Sequence, residues 1–135
     1  MVLVDANVLL DVLTEDPVWL EWSQNELARL EADGLAINPI IYAELAPAFR
    51  TEAELVAAFR DWPLHRLALP YEAAWLAARA FAEYRGRGGT RTSPLPDFYI
   101  GAHAEIEGHT LLTRDAARYR TYFPKVQLIC PASAG

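Results

Sequence analysis

The sequence predicts an α/β protein built on a parallel sheet. Short apolar runs at 2–4 (VLV), 35–37 (LAI), 110–113 (TLLT) and 126–129 (VQLI) read as buried strands. Stretches with helical spacing and helix-start signals separate them. No repeat, low-complexity tract or long linker divides the 135 residues, which suit a single domain over 1–135.

The strand at 2–4 runs into Asp5, and helical spacing follows over 7–13. Asp16 and Pro17 form a cap and first-turn pair that opens a second helix, which Gly34 stops. The same signal, Asn38-Pro39, follows the second strand and opens a helix through Glu44, which Pro47 ends. Thr51 and Glu54 make a capping box for a helix to about residue 62. The run at 65–69 (HRLAL) reads as a third strand, and the alanine-rich stretch 71–86 as a helix stopped by Gly86. A Gly-, Pro- and Arg-rich loop covers 86–96, and a further helix covers 97–108. The strand at 110–113, a short helical turn after Arg114 and the strand at 126–129 complete the order.

The single cysteine, Cys130, excludes a disulfide framework and reads as inert. With Asp5 interrupting the first apolar run and no basic segment before it, a signal peptide is not expected, and the chain reads as cytoplasmic. No apolar run approaches the ~20 residues of a membrane span.

The formal net charge is −6, yet it is unevenly distributed. Residues 85–125 carry seven basic and four acidic side chains, the basic ones being Arg85, Arg87, Arg91, Arg114, Arg118, Arg120 and Lys125. Such a footprint suits phosphate binding on an acidic protein, and equally a solvated face.

Four carboxylates break the apolar pattern. Asp5 and Asp115 each follow a strand, where ligands of open parallel sheets bind. Glu44 falls at helical spacing on the stripe of Ile40, Ile41 and Ala48. Asp97 starts its helix, with the small Gly101 and Ala104 on its face leaving room beside it. Taken singly, Asp5 and Asp115 read as caps, Asp97 as a dipole partner and Glu44 as reaching water. Converging, they need a proton or a cation to coexist. All-oxygen donors without His or Cys select Mg²⁺ or Mn²⁺, ions suited to phosphodiester cleavage. Asn7 and Thr113 lie beside the strand-end acids and are placed to orient them, or to cap helices. Asp11 reads as a polar-face residue, and Trp19, Trp22 and Trp75 as core or subunit contacts. His65, His103 and His109 lack ligand spacing and receive no chemistry.

The segments VLVDANVLLDVL, INPIIYAEL, LPDFYIGAHAEIEGHTLLTRDAARYRTYFP and VQLI resemble those of PIN-domain proteins, and among them the VapC toxins of toxin–antitoxin pairs. The resemblance spans essentially the whole chain. It implies a three-layer α/β/α fold around a parallel sheet of about five short strands. It also implies an Mg²⁺ (or Mn²⁺) site of Asp5, Glu44, Asp97 and Asp115, assisted by Asn7 and Thr113. The expected activity is hydrolysis of RNA by metal-activated water, with no side-chain nucleophile. The expected partners are a second copy in a homodimer and a small VapB-like antitoxin occupying the groove. Arg85, Arg87, Arg91, Arg114 and Arg118 are then expected to meet RNA phosphate or antitoxin. Some relatives carry a further acid two or three residues after the last aspartate. Here Ala117 and Arg118 stand there, so one firmly held ion is expected.

Three other readings have discriminating observations. A phosphotransfer module needs a lysine after a late strand, and the lone Lys125 precedes the last one; acyl-phosphate formation would support it. A partner-binding domain with a degenerate site would bind no metal in calorimetry. A DNA nuclease or an RNA-processing enzyme outside a toxin pair would lack a neighbouring short antitoxin frame.

Overall fold

The computed structural model describes residues 1–91 and 95–132. The expected loop at 86–96 therefore lies partly outside the described residues. The apolar runs form strands β1 (Val2–Val4), β2 (Leu35–Ile37), β3 (Leu64–Arg66), β4 (Thr110–Leu112) and β5 (Leu128–Ile129). All neighbouring pairs are parallel, in the order β3-β2-β1-β4-β5. In register, Val2 pairs with Leu35 on one side and Thr110 on the other. β1 is buried along its whole length, while the edge strand β3 is largely exposed. The strand order reverses at β1 and β4, the switch point where doubly wound sheets open a crevice.

The helices are α1 (Ala6–Leu13), α2 (Leu20–Leu30), α3 (Pro39–Leu45), α4 (Glu52–Ala58), α5 (Tyr71–Gly86), α6 (Pro96–Glu107) and α7 (Ala117–Tyr122), and they cover both faces of the sheet. Local chemistry sets their ends. Asn38 Oδ1 accepts from Ile41 N at 2.9 Å, with Pro39 in the first turn. Thr51 Oγ1 accepts from Glu54 N at 3.2 Å, and the Glu54 carboxylate accepts from Arg50 N. Gly108, at φ 70°, ends α6 in the left-handed conformation, and His109 N donates back to Ala104 O at 2.9 Å.

Four elements depart from expectation, one being the last strand, which covers only Leu128–Ile129 of the expected 126–129. Asp16 does accept from Val18 N and Trp19 N, both at 2.9 Å, but this closes an Asx turn over Pro17. The helix itself begins at Leu20. α4 stops at Ala58 rather than about 62, where Phe59 and Trp62 turn inward and pack edge-to-face at 4.7 Å. The third strand starts at Leu64 rather than 65 and ends at Arg66.

The α5–α6 contact is close because α5 buries only Ala73, Ala77 and Ala80. Beside it Phe98, Tyr119 and Phe123 are fully buried and set the spacing of α6 and α7. Gly101 does not leave room for a ligand. A Cβ there would run into the Phe123 ring, so the glycine serves helix–ring contact. Among the described residues no helix is long and apolar enough to cross a membrane.

Candidate active site

β1 ends at Val4, and Asp5 is the first residue past the sheet. Its backbone N–H donates to Leu112 O at 2.9 Å, which holds it against the end of β4. The side chain is 5% exposed and accepts three hydrogen bonds. Oδ1 takes Ala6 N at 2.8 Å, and Oδ2 takes the Thr113 hydroxyl at 2.9 Å and the Tyr119 hydroxyl at 3.0 Å. Burial nevertheless pushes the Asp5 carboxyl up to about 6, with the neighbouring Asp97 charge adding to the rise.

Thr113 is fully buried just after β4. Its hydroxyl donates to Asp5 and accepts from Asp115 N at 3.1 Å and from Asn7 Nδ2 at 3.4 Å. Asn7 Oδ1 in turn accepts from Arg114 N at 3.2 Å. The two strand ends are thus joined by neutral groups, which fixes Asp5 relative to Asp115.

Glu44 reaches the same crevice from α3. Its Oε1 is buried and has no hydrogen-bond partner among the described residues. Burial lifts its proton affinity to about 7, with Asp5 and Asp97 raising it further by repulsion. Of the stripe expected beside it, Ile41 is buried, while Ala48 is exposed in a 3₁₀ turn around Pro47.

Asp97 enters from the first turn of α6. Oδ1 accepts from the Tyr119 hydroxyl at 3.2 Å, and Oδ2 from Arg118 Nη1 at 3.3 Å. Burial raises the Asp97 pKa, and Arg118 and Tyr119 oppose the rise. Asp115 is exposed at the mouth.

Asp5, Asn7, Glu44, Asp97 and Asp115 together line a cleft of about 200 Å³. It adjoins a second hollow of about 370 Å³ that shares Asp97 and Asp115 and adds Tyr84, Arg118 and Tyr122. The donor set is hard oxygen throughout, and the buried unpartnered Glu44 Oε1 is an atom that a cation would satisfy. The site therefore fits a divalent ion in kind. Among the described residues, no three His, Cys, Asp or Glu side chains already converge to hold one.

Two residues have larger parts than their sequence positions indicate. The Tyr119 hydroxyl lies within hydrogen-bond range of both Asp5 and Asp97, yet it carries one proton and donates to one acid at a time. Burial, with the nearby acids, raises its pKa well above the usual value, so it stays a donor. Its spacing of four from Asp115, on the same helical turn region, is the only sequence signal for it.

Asp11 is the second, and its expected polar-face position is overturned. It is 2% exposed and accepts from Ser23 Oγ and Arg114 Nε, both at 2.7 Å. The α1–α2 contact covers it, so its solvent is replaced by a serine and a guanidinium. Arg114, expected at phosphate or antitoxin, has its Nε spent on this bridge, with the guanidinium 5.4 Å from the Trp19 ring.

The other arginines are placed differently. Arg118 stands at the cleft rim, 5.8 and 5.7 Å from the Tyr84 and Phe98 rings. Arg87 pairs with Glu83 at 2.6 Å, and Arg85 donates to the Arg91 carbonyl. Arg120 contacts Cys130 Sγ at 3.1 Å. Trp19 and Trp22 pack edge-to-face, whereas Trp75 is 70% exposed and outside the core.

Sequence comparison with curated proteins gives no match. Several solved structures are similar in fold. VapBC2 from Rickettsia felis, bound to a DNA fragment from its promoter, superposes with a TM-score of 0.74 at 18% identity, over 97% of this chain and 99% of that one. VapBC-1 from nontypeable Haemophilus influenzae gives 0.71 at 16%, over 96% and 98%. FitAcB from Neisseria gonorrhoeae gives 0.70 at 20%, over 96% of each chain. The family model of the PIN domain matches residues 2–124, and the chain belongs to the PIN domain family.

Proposed function

We propose that the chain is a VapC-type toxin: an endoribonuclease that depends on Mg²⁺ or Mn²⁺ and is inhibited by a VapB-like antitoxin. The observation that carries the reading is the crevice at the β1–β4 switch point, where Asp5, Glu44 and Asp97 all have raised proton affinity and one oxygen of Glu44 is buried and unpartnered among the described residues. Such a cluster is stable at neutral pH once a cation enters. Asp5, Glu44, Asp97 and Asp115 would hold the ion, which supplies charge neutralisation and Lewis acidity toward the scissile phosphate.

The chain's own residues do the rest. Ala6 N, Thr113 and Tyr119 aim Asp5 into the cleft. Asn7 steadies Thr113 and the loop bearing Asp115. Arg118, lining the adjoining hollow, would meet a flanking phosphate of RNA, with Arg87, 5.3 Å from the Tyr122 ring of the same hollow, and Arg85 and Arg91 as further candidates. These contacts position a strand without reading its bases. Similar structures are VapBC complexes, which supports a small VapB-like protein partner. A second copy of the chain would cover Tyr71 and Trp75, exposed one turn apart on α5.

The test uses protein stripped of any bound antitoxin, with RNA and single-stranded DNA of one sequence. RNA should be cut with Mn²⁺ or Mg²⁺, and EDTA or Asp5→Asn should abolish cutting. Equal RNA cleavage under those conditions refutes the proposal, and preferential cutting of DNA replaces the substrate.

A further inference from the structure

We propose that His103 is a positioning residue for the acidic cleft: through Asn38 it ties the start of α3, which carries Glu44, to α6, which carries Asp97. The two side chains are 1% and 2% exposed, and α3 packs directly on α6. Asn38 Nδ2 and His103 Nδ1 are 2.9 Å apart. The capping bond decides the polarity of this contact. Asn38 Oδ1 already accepts from Ile41 N, so the amide must turn its NH₂ to the ring. An NH₂ only donates. Nδ1 is therefore the acceptor, and the neutral imidazole carries its proton on Nε2.

The link is reversible in one direction. A proton on Nδ1 sets donor against donor, and the amide can satisfy the ring only by giving up Ile41 N. Acid thus removes the cap of the helix that presents Glu44. His103 also borders a hollow of about 610 Å³ with Met1, Leu67, Pro70, Glu107 and His109, although the ring itself is almost wholly covered. The titratable and charged groups around the pair are His109, whose ring meets His103 edge-to-face at 5.4 Å, Glu107, the Met1 amino group and Arg66 beside Asn38. Burial first, then His109, lowers the His103 pKa, while Glu107 opposes them, so the link is intact at neutral pH.

The consequence for the cleft rests on its reading as a cation site, and the experiment separates the two. In the full chain, nitrogen-15 NMR should find the neutral His103 ring protonated at Nε2. Ile41 amide exchange should be slow above the ring's titration and fast below it. His103→Gln offers an oxygen acceptor that does not titrate, so it should keep Mn²⁺ affinity and lose the acid-linked exchange at Ile41. His103→Leu leaves the Asn38 NH₂ unpaired and should weaken Mn²⁺ binding about tenfold at neutral pH, as when a residue that orients a ligand is removed. Asn38→Asp still caps α3 but accepts from the ring, so it should raise the His103 pKa. The proposal is overturned if the neutral ring is protonated at Nδ1, if Ile41 exchange ignores the His103 titration, or if Asn38→Asp leaves that titration unmoved. It is likewise overturned if His103→Leu binds Mn²⁺ as the unaltered chain does. If the unaltered chain binds no Mn²⁺, the cation reading fails, while the tautomer and Ile41 exchange still decide the link.

Discussion

Replacing Glu44 with Gln removes a charge while keeping the shape, and its effect on stability should depend on pH. In the folded protein the Glu44 carboxyl is lifted from 4.5 to about 7, chiefly by burial. The native state therefore holds a proton that the unfolded chain releases at lower pH. Stability falls as pH rises between about 4.5 and 7, and levels off above that. The full rise corresponds to about 3 kcal/mol, and screening of a half-buried group leaves about 2 kcal/mol. Below about pH 4 the carboxyl is neutral in both states and this cost is absent. Glu44→Gln carries its own penalty for a buried amide, which is the same at both pH values. The informative quantity is the difference. Urea denaturation without divalent ions should find the variant about 2 kcal/mol more favourable, relative to the unaltered chain, at about pH 8 than at about pH 4. Saturating Mn²⁺ should reverse the order at the higher pH. A ligand at 100 times its Kd adds about 2.7 kcal/mol to the chain that binds it, and the variant lacks one donor. A pH-independent difference would refute the argument that Glu44 is held charged against its surroundings. A Mn²⁺ response equal in both proteins would remove Glu44 from the cation site.

Asp11→Ala should destabilise the protein by about 2 kcal/mol in the same denaturation assay, because it leaves the buried Ser23 hydroxyl without its acceptor and the partly covered Arg114 without its counter-charge; a loss below about 0.5 kcal/mol, typical of a surface pair, would return Asp11 to the solvent. Tyr119→Phe should cost about 2 kcal/mol by removing a donor to charged acceptors, and should raise the pKa of Asp5 further, read by carboxyl NMR; an unmoved Asp5 titration would show that the hydroxyl does not serve that acid.

What could be read from the sequence divides by the range of the interaction. Asn38-Pro39, Thr51 with Glu54 and Gly108 form helix ends whose hydrogen bonds close within five residues, so spacing alone reveals them. Asp5 and Asp115 were legible because each interrupts an apolar run at a strand end, and the acid is odd before any partner is known. Glu44 is legible by helical spacing, though the stripe does not extend to Ala48 because Pro47 turns the chain there. The order of the strands carries no local signal and required the folded chain.

The residues that satisfy the acids were not legible, and the reason is physical. Tyr119 is an aromatic in a core helix whose one polar atom meets Asp5 across 114 positions. Asp11 finds Arg114 across 103 positions, and on its own helix it looks like any polar-face residue. Gly101 reads as space for a ligand because the ring that fills it, Phe123, comes from the residue just after α7, 22 positions along. An unpaired acid disturbs the local pattern and announces itself. The group that balances it restores an ordinary pattern and so passes unnoticed. The same logic sets His103 apart: an apolar helix face hides a histidine whose hydrogen-bond partner among the described residues, Asn38, lies 65 residues earlier and already caps a helix. Polar groups that appear fully explained by one local bond, yet are buried with a second valence to fill, are therefore where long-range couplings to a site are to be sought.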